Sequence, residues 1–338
     1  MRVFVTGGAG FIGRQVVKRL LAGGHSVICV VRNPGTAGLV QLGADIAAGT
    51  LRSRQEIERQ MQGSEAVVHL AGSYRIGVTV PQRPEMFDAN VGTTERVLDA
   101  AAANGVGRIV HVSTVNAFGN TKGQVVDETY RRDPADGFVS FYDETKYRAH
   151  QLAEERARAG APVVIVQPGG VLGPGDPSQV GRQIREAHEG TLRAVALADV
   201  GLSFVHVEDV ADGIVRALEA GRLGESYVLA GTVGRLRDGL ALAARLGGRR
   251  LPLLSVPVSL LRALARLGPR GERLGLPANL DEVIRASDGV TYWARHDKAA
   301  AELGYAPRGL EETLRDTFAA ERARVAEPAF PATSQPRA

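Results

Sequence analysis

Short apolar runs alternate with longer amphipathic stretches through the first half of the chain. Strand-like runs fall at 2–6, 26–31, 66–70, 108–113 and 163–167, and helical stretches at 11–22, 85–103 and 142–159. The runs are apolar at consecutive positions rather than at every second one, which is the pattern of strands buried on both faces. Alternation of this kind builds right-handed βαβ units, so the chain is expected to be an α/β protein with a doubly wound parallel sheet. After Pro168 the pattern loosens into Gly169-Gly170 and Gly173-Pro174-Gly175-Asp176-Pro177, a composition typical of ligand-contacting loops. The run at 202–207, the helical stretch at 210–220 and the run at 226–229 look like a return to the sheet. From Gly231 onward the chain reads as mostly helical. The expected organisation is a sheet domain over 1–170 with 204–230 returning to it. A smaller, mostly helical lobe follows from 171–203 and 231–325, and a flexible tail rich in Pro and Ala from 326–338.

Thr6-Gly7-Gly8-Ala9-Gly10-Phe11-Ile12-Gly13 follows the first run directly and opens the first helix. Gly7, Gly10 and Gly13 there permit a tight turn and close helix–strand packing. They also let the backbone N–H groups, with those of Phe11 and Ile12, approach a pyrophosphate at the positive helix end. A Rossmann-type dinucleotide-binding domain is the expectation, against the blander reading of a glycine turn with no ligand. NAD is usually marked by an acidic residue about 20 positions on, but no Asp or Glu occurs before Asp45 and the second run ends in Val31-Arg32. A carboxylate would repel a 2′-phosphate, whereas the Arg32 guanidinium binds one with charge-assisted hydrogen bonds. NADP(H) is therefore expected in preference to NAD(H), the alternative being that Arg32 is a solvated loop residue.

Tyr142-Asp143-Glu144-Thr145-Lys146 begins a helical stretch, and four-residue spacing puts phenol and ammonium on one face. A phenol with a pKa near 10 is a poor base at neutral pH, and a neighbouring cation favours the phenolate. The pair lies downstream of Val112-Ser113-Thr114, where a strand ends at the carboxyl edge of the sheet.

These motifs, with His69-Leu70-Ala71-Gly72, Asn90-Val91-Gly92-Thr93, Phe118-Gly119, the 168–176 loop and the 204–210 segment, resemble the extended short-chain dehydrogenase/reductases in order and over residues 1 to 325. The Val31-Arg32 strand end is similar to the NADP-dependent members of the dihydroflavonol 4-reductase type. The resemblance implies that Tyr142 is the acid/base, that Lys146 holds the nicotinamide ribose and lowers the phenol's pKa, and that Thr114 hydrogen-bonds the substrate oxygen. Ser113 is the alternative hydroxyl and a cofactor contact. Leu70, Ala71 and Gly72 would line the adenosine side, Asn90 would support its helix end, and Pro168, Gly169 and Val171 would meet the nicotinamide. His69 and His206 are read as structural histidines.

The implied activity is an NADPH-dependent reductase, reversible as a dehydrogenase, acting on a ketone or aldehyde, or on a secondary alcohol in reverse. The alternative is a nucleotide-sugar 4-epimerase with retained cofactor, and a third reading is a sensor that binds NADP without turnover. Gln167 and Thr50 depart from the pattern of the sugar-nucleotide members, and Val115-Asn116 after Thr114 departs from that of the dehydratases. The family also implies a homodimer in which the alanine-rich helices at 88–103 and 146–159 pair about a two-fold axis.

Composition narrows the picture further. The 338 residues are 44% hydrophobic and 23% charged, enough to build a large core. The apolar runs are far shorter than the roughly 20 residues of a membrane span, and the N-terminus lacks the pattern of a secretory signal, so a cytoplasmic protein is expected. A net charge of +4 carried by scattered arginines does not suggest nucleic acid. Seven histidines without HExxH or cysteine partners suggest no metal, and the single Cys29 reads as a small core residue.

Overall fold

A computed structural model describes residues 1–33, 38–268 and 276–326, with side chains up to residue 323. The tail expected at 326–338 lies, beyond Ala326, outside the described residues.

The first half builds β1 (Arg2–Thr6), α1 (Phe11–Ala22), β2 (Ser26–Val31), β3 (Asp45–Ala48), α2 (Arg54–Met61) and β4 (Ala66–His69). It continues with α3 (Arg83–Phe87), α4 (Thr93–Ala103), β5 (Arg108–Val112), α5 (Phe141–Arg158) and β6 (Val163–Pro168). The second half adds β7 (Gly170–Leu172), α6 (Gln179–Glu189), β8 (Gly201–His206), α7 (Val207–Ala220), β9 (Ser226–Leu229) and β10 (Thr232–Arg235). The chain then runs through α8 (Leu236–Leu246), α9 (Val258–Ala265), α10 (Leu280–Arg285), α11 (Asp297–Leu303) and α12 (Leu310–Ala326).

Seven parallel strands form the main sheet in the order β3-β2-β1-β4-β5-β6-β9. Both faces are covered. Val3, Val5, Val68 and Val110 face a core shared with Val16 and Leu20 of α1 and with Ile214 and Leu218 of α7. Phe4, Val67 and Ile109 face the other side with Ile57 of α2, Val97 of α4 and Ala153 of α5. Consecutive positions are thus buried on opposite faces, which is why the runs read as continuously apolar. The strand order reverses between β1 and β4, so the loops leaving their carboxyl ends diverge and open a crevice there.

Three features differ from the periodicity. The short β3 and the polar α2 carry too little apolar pattern to stand out, and α2 is fixed by its cap, Ser53, whose hydroxyl accepts from the Glu56 N–H. The stretch at 85–103 is α3 and α4 joined by a wide π turn, Asp88–Gly92. The run at 202–207 does not join the main sheet: β8 pairs with β7 and antiparallel with β10 in a separate three-stranded sheet, and β9 supplies the seventh main strand. Cys29 is buried, and burial pushes its thiol up to about 12, which suits a core residue.

Candidate active site

The crevice begins at the glycine turn between β1 and α1. Gly7 has a φ of +75°, and a Cβ there would stand 2.8 Å from the backbone nitrogen of Ala71. At Gly13 a Cβ would lie 2.1 Å from the Gly7 carbonyl oxygen. Both positions therefore exclude side chains, and the turn keeps its backbone open toward the crevice. Gly10 N–H donates to the Gly7 carbonyl, closing the turn at 2.9 Å. Phe11 and Ile12 follow as the first residues of α1, with Ile12 packed against the core.

A cavity of about 820 Å³ runs from Gly7 and Gly10 past the ends of β2 and β3 to Leu70, Ala71 and Gly72, and on to Val78 and Met86. Arg14, Arg32 and Arg52 line its β2–β3 end, beside Thr50. The glycine cradle fits the pyrophosphate of a nicotinamide dinucleotide.

A hydrogen-bonded chain fixes the wall beside β4. Ala71 N–H donates to Thr6 Oγ1 at 3.3 Å, and Thr94 Oγ1 donates to the Asn90 carbonyl at 2.7 Å. His69 lies between them, Nδ1 at 2.7 Å from Thr6 Oγ1 and Nε2 at 3.1 Å from Thr94 Oγ1. Each hydroxyl has one proton, so Thr6 donates to Nδ1 and the neutral Nε2–H tautomer donates to Thr94. Burial, and then the Lys146 charge, push His69 down to about 3, in keeping with a neutral ring. His206 likewise serves structure, its Nδ1 accepting from Glu208 N–H at the start of α7.

Asn90 sits in the π turn and is buried. Its Oδ1 accepts from Ser73 N–H at 2.6 Å, and its Nδ2 donates to the Ser73 carbonyl and to Thr145 Oγ1. Thr145 Oγ1 donates in turn to the Tyr142 carbonyl. Asn90 thus ties the loop after β4 to the first turn of α5, and it is not among the residues that line the cavity.

Tyr142 stands in that first turn, buried among Val78 and Met86 with Ile76 and Phe141 at the edge of the cluster, and edge-on to the Tyr74 ring at 4.9 Å. Burial raises its pKa, while the hydrogen bond with Thr114 pulls the other way. Lys146 Nζ donates to the Val112 carbonyl at 3.2 Å, and burial lowers its pKa to about 8. Burial is the largest influence on the phenol, which is a neutral acid at pH 7.

The two hydroxyls after β5 point to different partners. Thr114 Oγ1 donates to Asn116 Oδ1 at 3.1 Å, caps the short 3-10 turn Val115–Phe118 by accepting from Asn116 N–H, and lies 3.5 Å from the Pro168 carbonyl; its hydroxyl also lowers the pKa of Tyr142. Ser113 Oγ lies 3.0 Å from His150 Nδ1, whose Nε2 faces Glu154 at 3.4 Å. Pro168 ends β6, and Val171 packs against the main core. A Cβ at Gly169 would stand 2.2 Å from the Ser203 carbonyl oxygen, so the small sheet presses directly on this turn.

Two supports escape a reading of the sequence. Asp143 is fully buried against Arg132, with Nη1 at 2.8 Å from Oδ1, and Arg132 also lies over the Phe138 and Tyr147 rings. Glu282, buried in α10, accepts the Phe141 N–H at 3.0 Å, while Asn279 donates to the Val78 carbonyl. Both pin the start of α5, the second from a segment distant in sequence, and a lone Arg, Asp or Glu carries no signal of such a pairing. Among the described residues no cluster of His, Cys, Asp or Glu could hold a metal, and no helix is long and apolar enough to cross a membrane.

Residues 3–230 match the model of the NAD dependent epimerase/dehydratase family. A Stigmatella aurantiaca protein named 4-hydroxy-2-methyl-3-oxo-4-farnesyl-3,4-dihydroquinoline-1-oxide ketoreductase is 33% identical over 91% of this chain and 92% of its own. A Synechocystis sp. protein named provisionally as a dihydroflavonol 4-reductase is 31% identical over 93% and 92%. The crystal structure of gox2253 superposes with a TM-score of 0.82 at 31% identity, covering 95% of this chain and 98% of that one. MoeE5 in complex with UDP-glucuronic acid and NAD superposes with a TM-score of 0.76 at 25% identity, covering 96% and 100%.

Proposed function

The chain belongs to the NAD dependent epimerase/dehydratase family, within the extended short-chain dehydrogenase/reductases, and we propose that it is an NADPH-dependent reductase of ketones or aldehydes. The observation that supports this reading is Tyr142, buried and neutral, one helical turn before Lys146 and packed with Val78 and Met86, which line a crevice with an arginine rim.

When bound, the nicotinamide supplies the hydride. The protein's own part is alignment and the proton. The Thr114 hydroxyl donates a hydrogen bond to the substrate carbonyl oxygen, and Tyr142 gives that oxygen its proton as negative charge develops on it. Lys146 holds the ribose and offsets the phenolate left behind. In reverse, the phenolate takes the proton from a secondary alcohol. Arg32, with Arg14 and Arg52 beside it, selects NADP(H) by its 2′-phosphate. Leu70, Ala71 and Gly72 border the adenosine, and Pro168, Gly169 and Val171 border the nicotinamide. Ser113 contributes through the strand end that it ties to His150, and Asn90 through the loop that it holds.

The side chains around Tyr142 are Ile76, Val78, Met86 and Phe141, which suits a carbonyl carried on an apolar body. The relative named for a farnesyl-bearing ketone points the same way. Residues 171–203 and 231–325 form the substrate-binding lobe in this reading. The protein acts in the cytoplasm as a homodimer, which light scattering at twice the mass of one chain would show.

The 4-epimerase reading has MoeE5, with its NAD and UDP-sugar, as a structural neighbour. The Val31-Arg32 strand end and Gln167 weigh against it. Mixing the purified protein with NADPH and a long-chain ketone tests the choice. Stoichiometric NADPH oxidation and alcohol formation are the expected result; preference for NADH, or conversion of a UDP-sugar with no net cofactor change, would contradict it.

A further inference from the structure

Four exposed leucines lie in the segment that leads through α9. Leu253 is 104% exposed, Leu254 63%, Leu260 50% and Leu267 42%. These side chains are held outward. Val195 N–H donates to the Leu254 carbonyl and Val256 N–H to the Val195 carbonyl, so the backbone at 254–256 is fixed against the loop after α6. In α9 the inner face is already used: Leu261, Leu264 and Ala265 pack on Leu280, Val283 and Ile284. Leu260, Ala263 and Leu267, three and four residues apart, stand on the opposite side and are exposed.

Between Gly247 and Gly268 the chain carries four arginines, Arg249, Arg250, Arg262 and Arg266, and no acidic residue. All four are exposed; Arg262 pairs with Asp288 at 3.0 Å. Exposed leucines interleaved with arginines, of which Arg262 is paired with the Asp288 carboxylate, match the chemistry of an anionic bilayer surface, where the leucines enter the acyl boundary and guanidinium groups meet lipid phosphates. A second copy of the chain fits less well, because a two-fold contact through this patch would set arginine against arginine.

We infer that the Leu253–Leu254 segment and α9 form a peripheral docking surface for anionic membranes. The inference goes beyond the proposed reduction and does not depend on it. Its place in the fold gives it a use, since Ile76 packs both with the cluster beneath α9 and with the Val78, Met86 and Tyr142 cluster. The docked face therefore adjoins, through Ile76, the segment that buries the phenol, where an apolar substrate would enter from lipid.

Flotation of the full chain with vesicles tests this without any turnover. Binding is expected to phosphatidylglycerol–phosphatidylcholine vesicles, with little to phosphatidylcholine alone. Leu253→Asp with Leu260→Asp should lower the partition coefficient by about tenfold or more. Arg250→Glu with Arg266→Glu should lower it on anionic vesicles by at least roughly tenfold, each arginine at such a surface being worth about fivefold. Unchanged far-UV circular dichroism and NADPH affinity in both variants would show that fold and crevice are intact. Failure to float with anionic vesicles, flotation that ignores both pairs of substitutions, or a patch that proves to hold two copies together in light scattering would overturn the inference.

Discussion

At the scale of single residues, the site rests on a few charges whose surroundings decide their work. Arg32 follows the apolar Val31 where a carboxylate would select NAD, and its guanidinium borders the crevice with Arg14 and Arg52. Arg32→Ala should weaken NADPH by about 1.5–3 kcal/mol, the worth of a hydrogen bond to a charged group, and leave NADH nearly unchanged in a fluorescence titration. Equal losses for the two cofactors would assign Arg32 to the solvated loop instead. Lys146 is a cation below about pH 8 and loses its charge above it, because burial disfavours the ammonium. The value of kcat/KM for NADPH, which reports the free enzyme, should therefore be level below pH 7 and fall as pH rises through about 8. Lys146→Arg, weaker overall, should lose that alkaline limb because guanidinium stays charged. The sign for stability is opposite: the folded state disfavours a proton that the unfolded lysine keeps up to its ordinary 10.5, so this residue adds stability as pH rises from about 8 to 10.5. The candidate residues were legible because they lie within short motifs. What those motifs do not say is that burial raises the pKa of the phenol, since desolvation depends on neighbours such as Val78 and Met86 that arrive after β4.

At the scale of elements, the strands were legible from their unbroken apolar runs and the first helix from the glycines ahead of it. The β8 strand was not, because a run such as Leu202-Ser203-Phe204-Val205-His206 is equally suited to either sheet, and pairing with β7 and β10 is decided by loops. Nor were the ties on α5. Arg132 and Asp143 are nearly and fully buried respectively, and together with Glu282 they hold the turn that aims Tyr142. Arg132→Met should leave an unpaired buried carboxylate and cost about 3–5 kcal/mol in denaturant unfolding, whereas Arg132→Met combined with Asp143→Leu should recover part of the loss. If the single variant unfolds at the parental denaturant concentration, the pair does not hold the helix.

At the scale of the whole molecule, the reversal of strand order opens the crevice, the glycine turn floors it, and the segment after β4, braced by α10 and the residue before it, buries the phenol. The doubly wound architecture followed from alternation alone. The contacts between the helical part and the site did not, because Glu282 to Phe141 and Asn279 to Val78 join residues more than a hundred positions apart. All these parts converge on one hydroxyl, so the account stands or falls on a single-turnover measurement with Tyr142→Phe, NADPH and a ketone that the parent reduces. NADPH should bind as it does to the parent, since the ring and Lys146 remain, while the rate of the chemical step falls by roughly 10² to 10⁴, the usual contribution of a positioned acid. A variant that folds, binds NADPH and reduces the ketone at the parental rate would contradict the account.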